Sequence, residues 1–457
     1  MPESRKQLVE KHIKSFPTVT SHYTRAKSPH MRYLEANMSS KRMHRLYREW
    51  LDEYDESEES VKLSYYRTVL RSFRLGFRPP NTDTCAKCDR FKVLIEAADD
   101  EDEKARLMAE LKAHEDFASE GQAAMAALMS DDDPDVRAIC VDLEQTLPVP
   151  RLSTSIAYYK RKMWVYNLCI HNLKTNESKF YLWDEMNGGR GSSEIVSCLS
   201  RWLDEEFSHG EFSTLKVFSD NCGGQNKNIN VILFYLREIH SQRLKTINHT
   251  YLLPGHSAMQ CDRAFGNIEK NIRLIGNIYD FTGYSKAIKL AVHDKYTVIA
   301  MKKQHFLDAD VLQPAIVHRK PLPPYSFQDA RRFELRDTFP EGYLVGMTYD
   351  GPLGSVRLMR GRGAYKRKSF DLSEVQLPQK YPDFRRLQPG KLEHLKQLLD
   401  YIPRRYSQYL EFVIETQEEL QEEEIGGGCD EDHLDYDDVD EEDVDDPDVD
   451  DPEPASD

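Results

Sequence analysis

The sequence predicts an α/β protein whose mixed sheet is flanked by helices. Three observations predict it. The apolar period is helical over the first 130 residues and changes to strand-like runs from residue 137. From there the elements read strand, strand, strand, helix, strand, helix, strand, helix. Acids stand at two strand positions in that order, Asp142 and Asp220.

Residues 1–80 read as a helical domain and a candidate DNA-binding unit. KQLVEKHIKSF, SSKRMHRLYREWLDEYDES and ESVKLSYYRTVLRSF each space apolar residues by three and four. The segment FPTVTSHYTRAKSPHMRYL between the first two is basic and aromatic. Residues 81–130 form a second segment, in which RPPNTDTCAKCDRFK breaks the helix and presents a CxxC before an Ala-, Glu- and Lys-rich helical stretch. SDDDPDV ends it.

Residues 137–290 form the expected catalytic core. RAICVDLEQ is a buried strand, MWVYNLCIHNL a second, and KFYLWDEM a third and an expected sheet edge. SSEIVSCLSRWLDEEF is an amphipathic helix with Ser192 as its expected N-cap. TLKVFSD is the fourth strand, INVILFYLREIHSQR a helix, INHTYLLPG the fifth strand, and HSAMQCDRAFGNIEKNIRLI a helix. This order is that of the RNase H-like fold, whose sheet presents acids from its first and fourth strands beside a later helix. Residues 291–414 read as a small β-rich and helical C-terminal region, and residues 415–457 as a disordered acidic tail.

The net charge of −16 is unevenly spread. Residues 415–457 hold 23 acids and no Lys or Arg, which leaves 62 bases against 55 acids in the rest. The body is therefore mildly basic and the tail a polyanion, whose plain reading is a solubilising segment. No apolar run is long enough to cross a bilayer, and the N-terminus lacks a signal-peptide stretch, so an intracellular protein is expected. Of eight cysteines only Cys85 and Cys88 are close in sequence, which suits a metal or redox pair rather than a disulfide framework.

Phosphodiester chemistry needs an activated oxygen nucleophile and stabilisation of a charged in-line transition state, and divalent cations supply both. Mg²⁺ or Mn²⁺ asks for carboxylates converging from separate elements. Asp142 interrupts the apolar stretch AICVDL, where a carboxylate is costly unless paired or bound to a cation. Asp220 closes the fourth strand. Each acid alone is explained as well by a strand end, but both fall where the chemistry needs them. The third acid is Asp262 or Glu269, two helical turns apart on one face with Phe265 between them, and Asp262 stands nearer the active end. Asp184 and Glu185 read as substrate-facing or loop residues outside the metal set.

Around these acids, Gly223 and Gly224 permit positive φ and close phosphate approach, with Gln225, Asn226 and Lys227 as donors; a plain turn is the alternative. His256 in PGHS is a supporting catalytic candidate or a structural histidine. Cys85, Cys88 and His114 form a candidate Zn²⁺ site without an evident fourth ligand, for which His22, Asp89 or a distal His are candidates. Basic clusters with aromatic neighbours occur in SHYTRAKSPHMR, around Lys160, Arg161 and Lys162, and in RLMRGRGAYKRKS; they suit nucleic acid or a solvated face. RGRGAYKRK also suits a nuclear import signal, giving a nuclear protein.

The strings SDNCGGQNKN and GHSAMQCDRAFGNIE, with YLWDEMNGGRGSSEIVSCL before them and SHYTR, DTCAKCDRF, VDLEQTLPVPRL and LLDYIPRRY elsewhere, resemble a eukaryotic family of transposon-derived proteins. The resemblance covers most of the chain. It implies a DDE-type transposase core with an RNase H-like fold, similar in layout to retroviral integrases. On that basis Asp142 and Asp220 match the first two catalytic acids and Asp262 or Glu269 the third. Relatives do not uniformly keep Asp184. The resemblance also implies DNA, as transposon ends and target, and a homo-oligomer. The expected activity is that of a metal-dependent DNA nuclease and strand transferase. The alternatives are a domesticated, catalytically silent DNA-binding protein, an RNase H-like nuclease on RNA or hybrids, and a scaffold using the acidic tail.

Overall fold

The computed structural model describes residues 3–16, 19–20, 32–34, 39–54, 60–73, 75–77, 85–293, 295–316, 325–359 and 371–426. The N-terminal unit contains α1 (Glu3–Ser15), β1 (Val19–Thr20), β2 (Arg32–Leu34), α2 (Ser40–Tyr54), α3 (Leu63–Arg71) and β3 (Leu75–Phe77). Its core is Val9, Ile13, Met43, Tyr47, Leu51, Tyr66 and Leu70, the apolar stripes of the three helices. The region is not wholly helical as expected, because β1, β2 and β3 pair into a small sheet.

A long hairpin follows, α4 (Ala86–Ala97) and α5 (Glu101–Ala127). Asp100 starts α5 by accepting the Glu103 N–H at 3.0 Å, and Glu101, Asp102 and Glu103 complement the positive end of the helix. Only Leu107, Ala118, Gly121 and Met125 of its 27 residues are buried.

The main sheet begins with β4 (Val136–Leu143) and β5 (Leu147–Val149), passes a short α6 (Ser155–Tyr158), and turns back as β6 (Met163–Asn172) and β7 (Glu177–Asp184). It continues through α7 (Ser192–His209), β8 (Thr214–Ser219), α8 (Ile229–His240), β9 (Thr246–Tyr251), α9 (Gln260–Ile275), α10 (Phe281–Ala291) and β10 (Tyr296–Ala300). Last come β11 (Arg332–Arg336), β12 (Gly342–Gly346), β13 (Leu353–Arg357), α11 (Pro389–Leu399) and α12 (Gln408–Gly426). The expected N-cap Ser192 is the first helical residue of α7 instead. Gly191 precedes it, and its N–H is accepted by Glu194 Oε2 at 2.8 Å.

The ten strands form one mixed sheet in the order β10-β7-β6-β4-β8-β9-β11-β12-β13, with β5 on β6. β4, β6 and β7 are antiparallel neighbours, while β4, β8 and β9 run parallel. The alternation of side chains splits the core. Ile139, Val141, Leu215 and Val217 meet α7 and α8 on one face. Ala138, Cys140 and Phe218 meet α9, α10, α11 and α12 on the other.

One expectation about the edges is corrected. β7 is no edge, because β10 pairs with it in parallel; Phe180, Tyr181, Leu182 and Trp183 are wholly buried, which leaves no solvated face there. The C-terminal strands make no sheet of their own, since β11 pairs with β9 and carries β12 and β13 outward. The acidic tail expected from residue 415 starts inside α12, where Gln417 is buried and accepts the Leu387 N–H at 2.7 Å. Residues 427–457 lie outside the described residues.

Asp184 ends β7 and Glu185 begins the turn after it, the loop position that is one of the two expected. Asp184 is buried and accepts the Asn187 N–H and Nδ2 and the Tyr409 hydroxyl, tying the end of β7 to α12. Glu185 accepts both contacts of Lys391 Nζ at 2.8 Å, tying it to α11. Lys391→Met strands the Glu185 carboxylate and should cost about 3–5 kcal/mol in urea unfolding. Adding Glu185→Gln should recover most of that loss; a double variant as unstable as the single one would contradict the pairing.

Candidate metal centre

The register of β4 and β8 brings the first two acids together. Val141 lies opposite Ser219, and Cys140 opposite Phe218, in a parallel pair. Asp142 and Asp220 are each one residue beyond the first pair and two beyond the second, so they leave the sheet on the same face as Cys140 and Phe218. Neighbouring strands are about 4.8 Å apart, so the two carboxylates stand side by side.

Helix α9 brings the third. Cys261 is buried, with its Sγ 3.6 Å from the Cys140 Sγ and 3.4 Å from the Cys140 carbonyl oxygen, and it also reaches the carbonyl of Cys169. This contact seats the first turn of α9 one step along β4 from Asp142. Asp262 follows on the exposed side, its Oδ2 accepting the Met259 N–H at 2.6 Å across the start of the helix. One oxygen in a capping bond leaves a carboxylate with further lone pairs.

The electrostatics report the convergence. Burial pushes the Asp142 carboxyl well above the ordinary range, and the charges of Asp220 and then Asp262 push it further. Glu269 is placed elsewhere. It is exposed, paired with Arg273 at 2.9 Å on its own helix, and its charge acts on Glu144. Of the two candidates for the third acid, Asp262 is therefore the one beside Asp142.

Glu144 was not singled out from sequence. It is buried, accepts Asn167 Nδ2 at 2.7 Å on Oε2, and has no partner for Oε1 among the described residues. Burial is the main cause that brings its carboxyl up to about 8. The signal was available: Glu144 follows Asp142 by two residues, the strand spacing that puts side chains on one face.

The loop after β8 differs from the expectation. Gly223 and Gly224 are exposed, have no positive φ, and a Cβ on either would meet nothing within 4 Å. Neither needs to be glycine for its backbone. Asn226 is buried and donates Nδ2 to Asp220 Oδ1 at 2.8 Å, joined there by the Cys222 N–H at 3.3 Å. Lys227 is not a surface donor. Its Nζ bonds Asn221 Oδ1 at 2.7 Å and the carbonyls of Gln328 and Ala330, and burial brings it down to about 7. Gln225 is half-buried in the turn.

Behind the loop, His249 Nε2 lies 2.9 Å from Ser219 Oγ, which donates to the Asp220 carbonyl. Its Nδ1 lies 3.2 Å from the Tyr235 and Tyr251 hydroxyls, and Tyr251 donates to the Asn226 carbonyl at 3.1 Å. The network holds both Asp220 and its partner Asn226 from the sheet side.

The domain of unknown function (DUF7869) matches residues 162–328. No curated protein matches the chain. The matched segment contains Asp220, Asp262, Glu269 and His256 but begins after Asp142 and after the CxxC.

His256 does not join the acids. Its Nε2 lies 3.3 Å from the Cys88 Sγ, while Cys85 Sγ lies 3.1 Å from His114 Nε2. The expected three-residue cluster thus gains His256, 168 residues from Cys88 in sequence. Of the basic residues Lys160, Arg161 and Lys162, only Arg161 is exposed. Lys160 is half-buried, Arg161 donates to Gln388 Oε1 and its N–H to His394 in α11, and half-buried Lys162 is lowered by desolvation. Residues 21–31 and 360–370, which carry most of the other two basic clusters and the import-signal string, lie outside the described residues. Among the described residues no helix is long and apolar enough to cross a membrane.

Burial, with Lys227 next, brings His249 down to about 3, while a free histidine titrates near 6.5. As pH falls through that window the unfolded chain takes up a proton that the folded one refuses, so stability falls with pH. His171, brought down to about 4, acts in the same direction. His249→Gln should lower stability at pH 7 by about 1–2 kcal/mol and flatten the decline in melting temperature between pH 6.5 and 4. An unchanged slope would contradict a neutral His249.

Proposed function

We propose that this chain is a metal-dependent DNA nuclease and strand transferase of the transposase class. The observation that carries the reading is the register that sets Asp142 beside Asp220, with Asp262 brought to the same place by α9. Three carboxylates around a partly buried point suit divalent cations, because like charges there cannot all ionise without compensation. The strand order β7-β6-β4-β8-β9, antiparallel then parallel, supports an RNase H-like core.

Asp142, Asp220 and Asp262 are the residues that would hold Mg²⁺ or Mn²⁺, which when bound supplies Lewis acidity and lowers the pKa of water. The chain's own part is to fix the ligands. β4 and β8 set Asp142 and Asp220 by register. Asn226 and the Cys222 N–H hold one oxygen of Asp220, and the Met259 N–H orients Asp262. The exposed Asp262 side and the Gly223–Gly224 turn leave an open flank for a phosphate backbone. DNA is the proposed partner and the nucleus the proposed compartment, on the strength of the mildly basic body and the RGRGAYKRK string.

Purified protein should nick DNA carrying its cognate ends with Mg²⁺ or Mn²⁺. Asp142→Asn and Asp220→Asn should each lower the rate by at least about 100-fold, Asp262→Asn likewise, and Glu269→Gln should leave it near wild type. Full activity in both Asp142→Asn and Asp220→Asn rejects the proposal, and preferential cleavage of RNA–DNA hybrids redirects it to a ribonuclease. Independently, Asp142→Asn removes a repelled charge and should raise the melting temperature in EDTA while abolishing stabilisation by Mn²⁺.

A further inference from the structure

We infer that Cys85, Cys88, His114 and His256 form a structural Zn²⁺ site that staples the α4–α5 hairpin to the loop leading into α9. Their four donor atoms lie within 4.8 Å of one another. A tetrahedral Zn²⁺ with bonds of about 2.0–2.3 Å sets its donors roughly 3.3–3.8 Å apart, and the two thiol–imidazole separations are 3.1 and 3.3 Å, just under and at the lower end of that range. The donor set, two thiols and two imidazole Nε2 atoms, selects zinc over the hard cations of the carboxylate trio.

The ligands come from three elements. Cys85 precedes α4 and Cys88 lies in its first turn. His114 stands in the middle of α5, and His256 follows β9 by five residues. Their meeting is built into the backbone. Gly255 has φ +76°, and a Cβ there would lie 2.4 Å from the Cys85 Cα. Only glycine lets the loop approach the hairpin so closely. On the other side of His256, Gln122 Nε2 from α5 donates to its carbonyl oxygen at 2.8 Å.

A staple has a physical purpose here. Helix α5 buries few residues, and beyond Gln122 its grip on the sheet rests on contacts such as Phe117 and Gly121 against the Tyr349 ring. A metal bond set of this kind is folding free energy in its own right. Its loop end lies six residues before Asp262, so the ion fixes the point from which α9 departs. The staple stands apart from the nuclease reading; only its consequence for Asp262 as a metal ligand rests on that reading.

The full-length chain, purified without added metal and dialysed, should carry one equivalent of zinc by elemental analysis. Replacing it with Co²⁺ should give the visible absorption of a tetrahedral site with two thiolates. His256→Ala should weaken zinc binding by more than about 100-fold, beyond the cost of losing an outer-sphere partner. His256→Cys, the variant that keeps a fourth ligand, should retain the metal and shift the Co²⁺ spectrum towards three thiolates. Zinc should also protect backbone amides of 252–262 from hydrogen exchange, a readout that needs no cleavage. Asp142→Asn and Asp220→Asn should keep their zinc whatever happens to nicking. Absence of stoichiometric zinc after reconstitution, an unaltered Co²⁺ spectrum in His256→Cys, or zinc lost with the aspartates would each overturn the proposal, as would a Cys85–Cys88 disulfide in the native protein.

Discussion

Burial of the Asp142 carboxyl beside Asp220 and Asp262 is the constraint on which the centre of the sheet depends. A carboxylate on an inner strand, with two more beside it, raises the free energy of the fold unless positive charge arrives or a proton is retained. Each acid is held by separate means. Asp142 is set in β4 between β6 and β8, Asp220 is held by Asn226 and the turn amide, and Asp262 is bonded to the amide that begins its own helix. Such fixed opposition is what a cation-binding centre requires.

Much of the architecture was legible because the local signals agreed. The switch from helical to strand-like periodicity at residue 137 marks the start of β4, and each of the five core strands and three core helices read from 137 to 275 is present. The pairing of Asp142 with Asp220 was readable too, since it follows from putting the first and fourth strands side by side. What sequence spacing could not resolve was which acid of α9 lies beside Asp142. Asp262 and Glu269 are equivalent by helical phase, and only the seating of Cys261 on Cys140 sets which turn of α9 lies by the sheet end.

Several side chains owe their placement to contact between residues distant along the chain. Lys227 looks like a phosphate donor in a polar loop until the carbonyls of Gln328 and Ala330 enclose it. His256 looks like a neighbour of the acids until α4 presents Cys88 to it. β7 looks like an edge because nothing local announces that β10, over a hundred residues later, will pair with it. Gly223 and Gly224 fit the plain-turn alternative, whereas Gly255 has the close approach that excludes a side chain.

The central place of β4 bears on how the protein is divided. The DUF7869 match at residues 162–328 includes β6, β7, β8, β9 and β10 but neither β4, which lies between β6 and β8, nor the C-terminal helices that cover its face. Excised at those limits, the segment would present two half-sheets with a gap where the missing strand belongs, each bearing a row of unmatched amides and carbonyls. A fragment for biophysical work should therefore begin ahead of residue 136 and continue through α12, so that inherited similarity and folding unit are not mistaken for the same boundary.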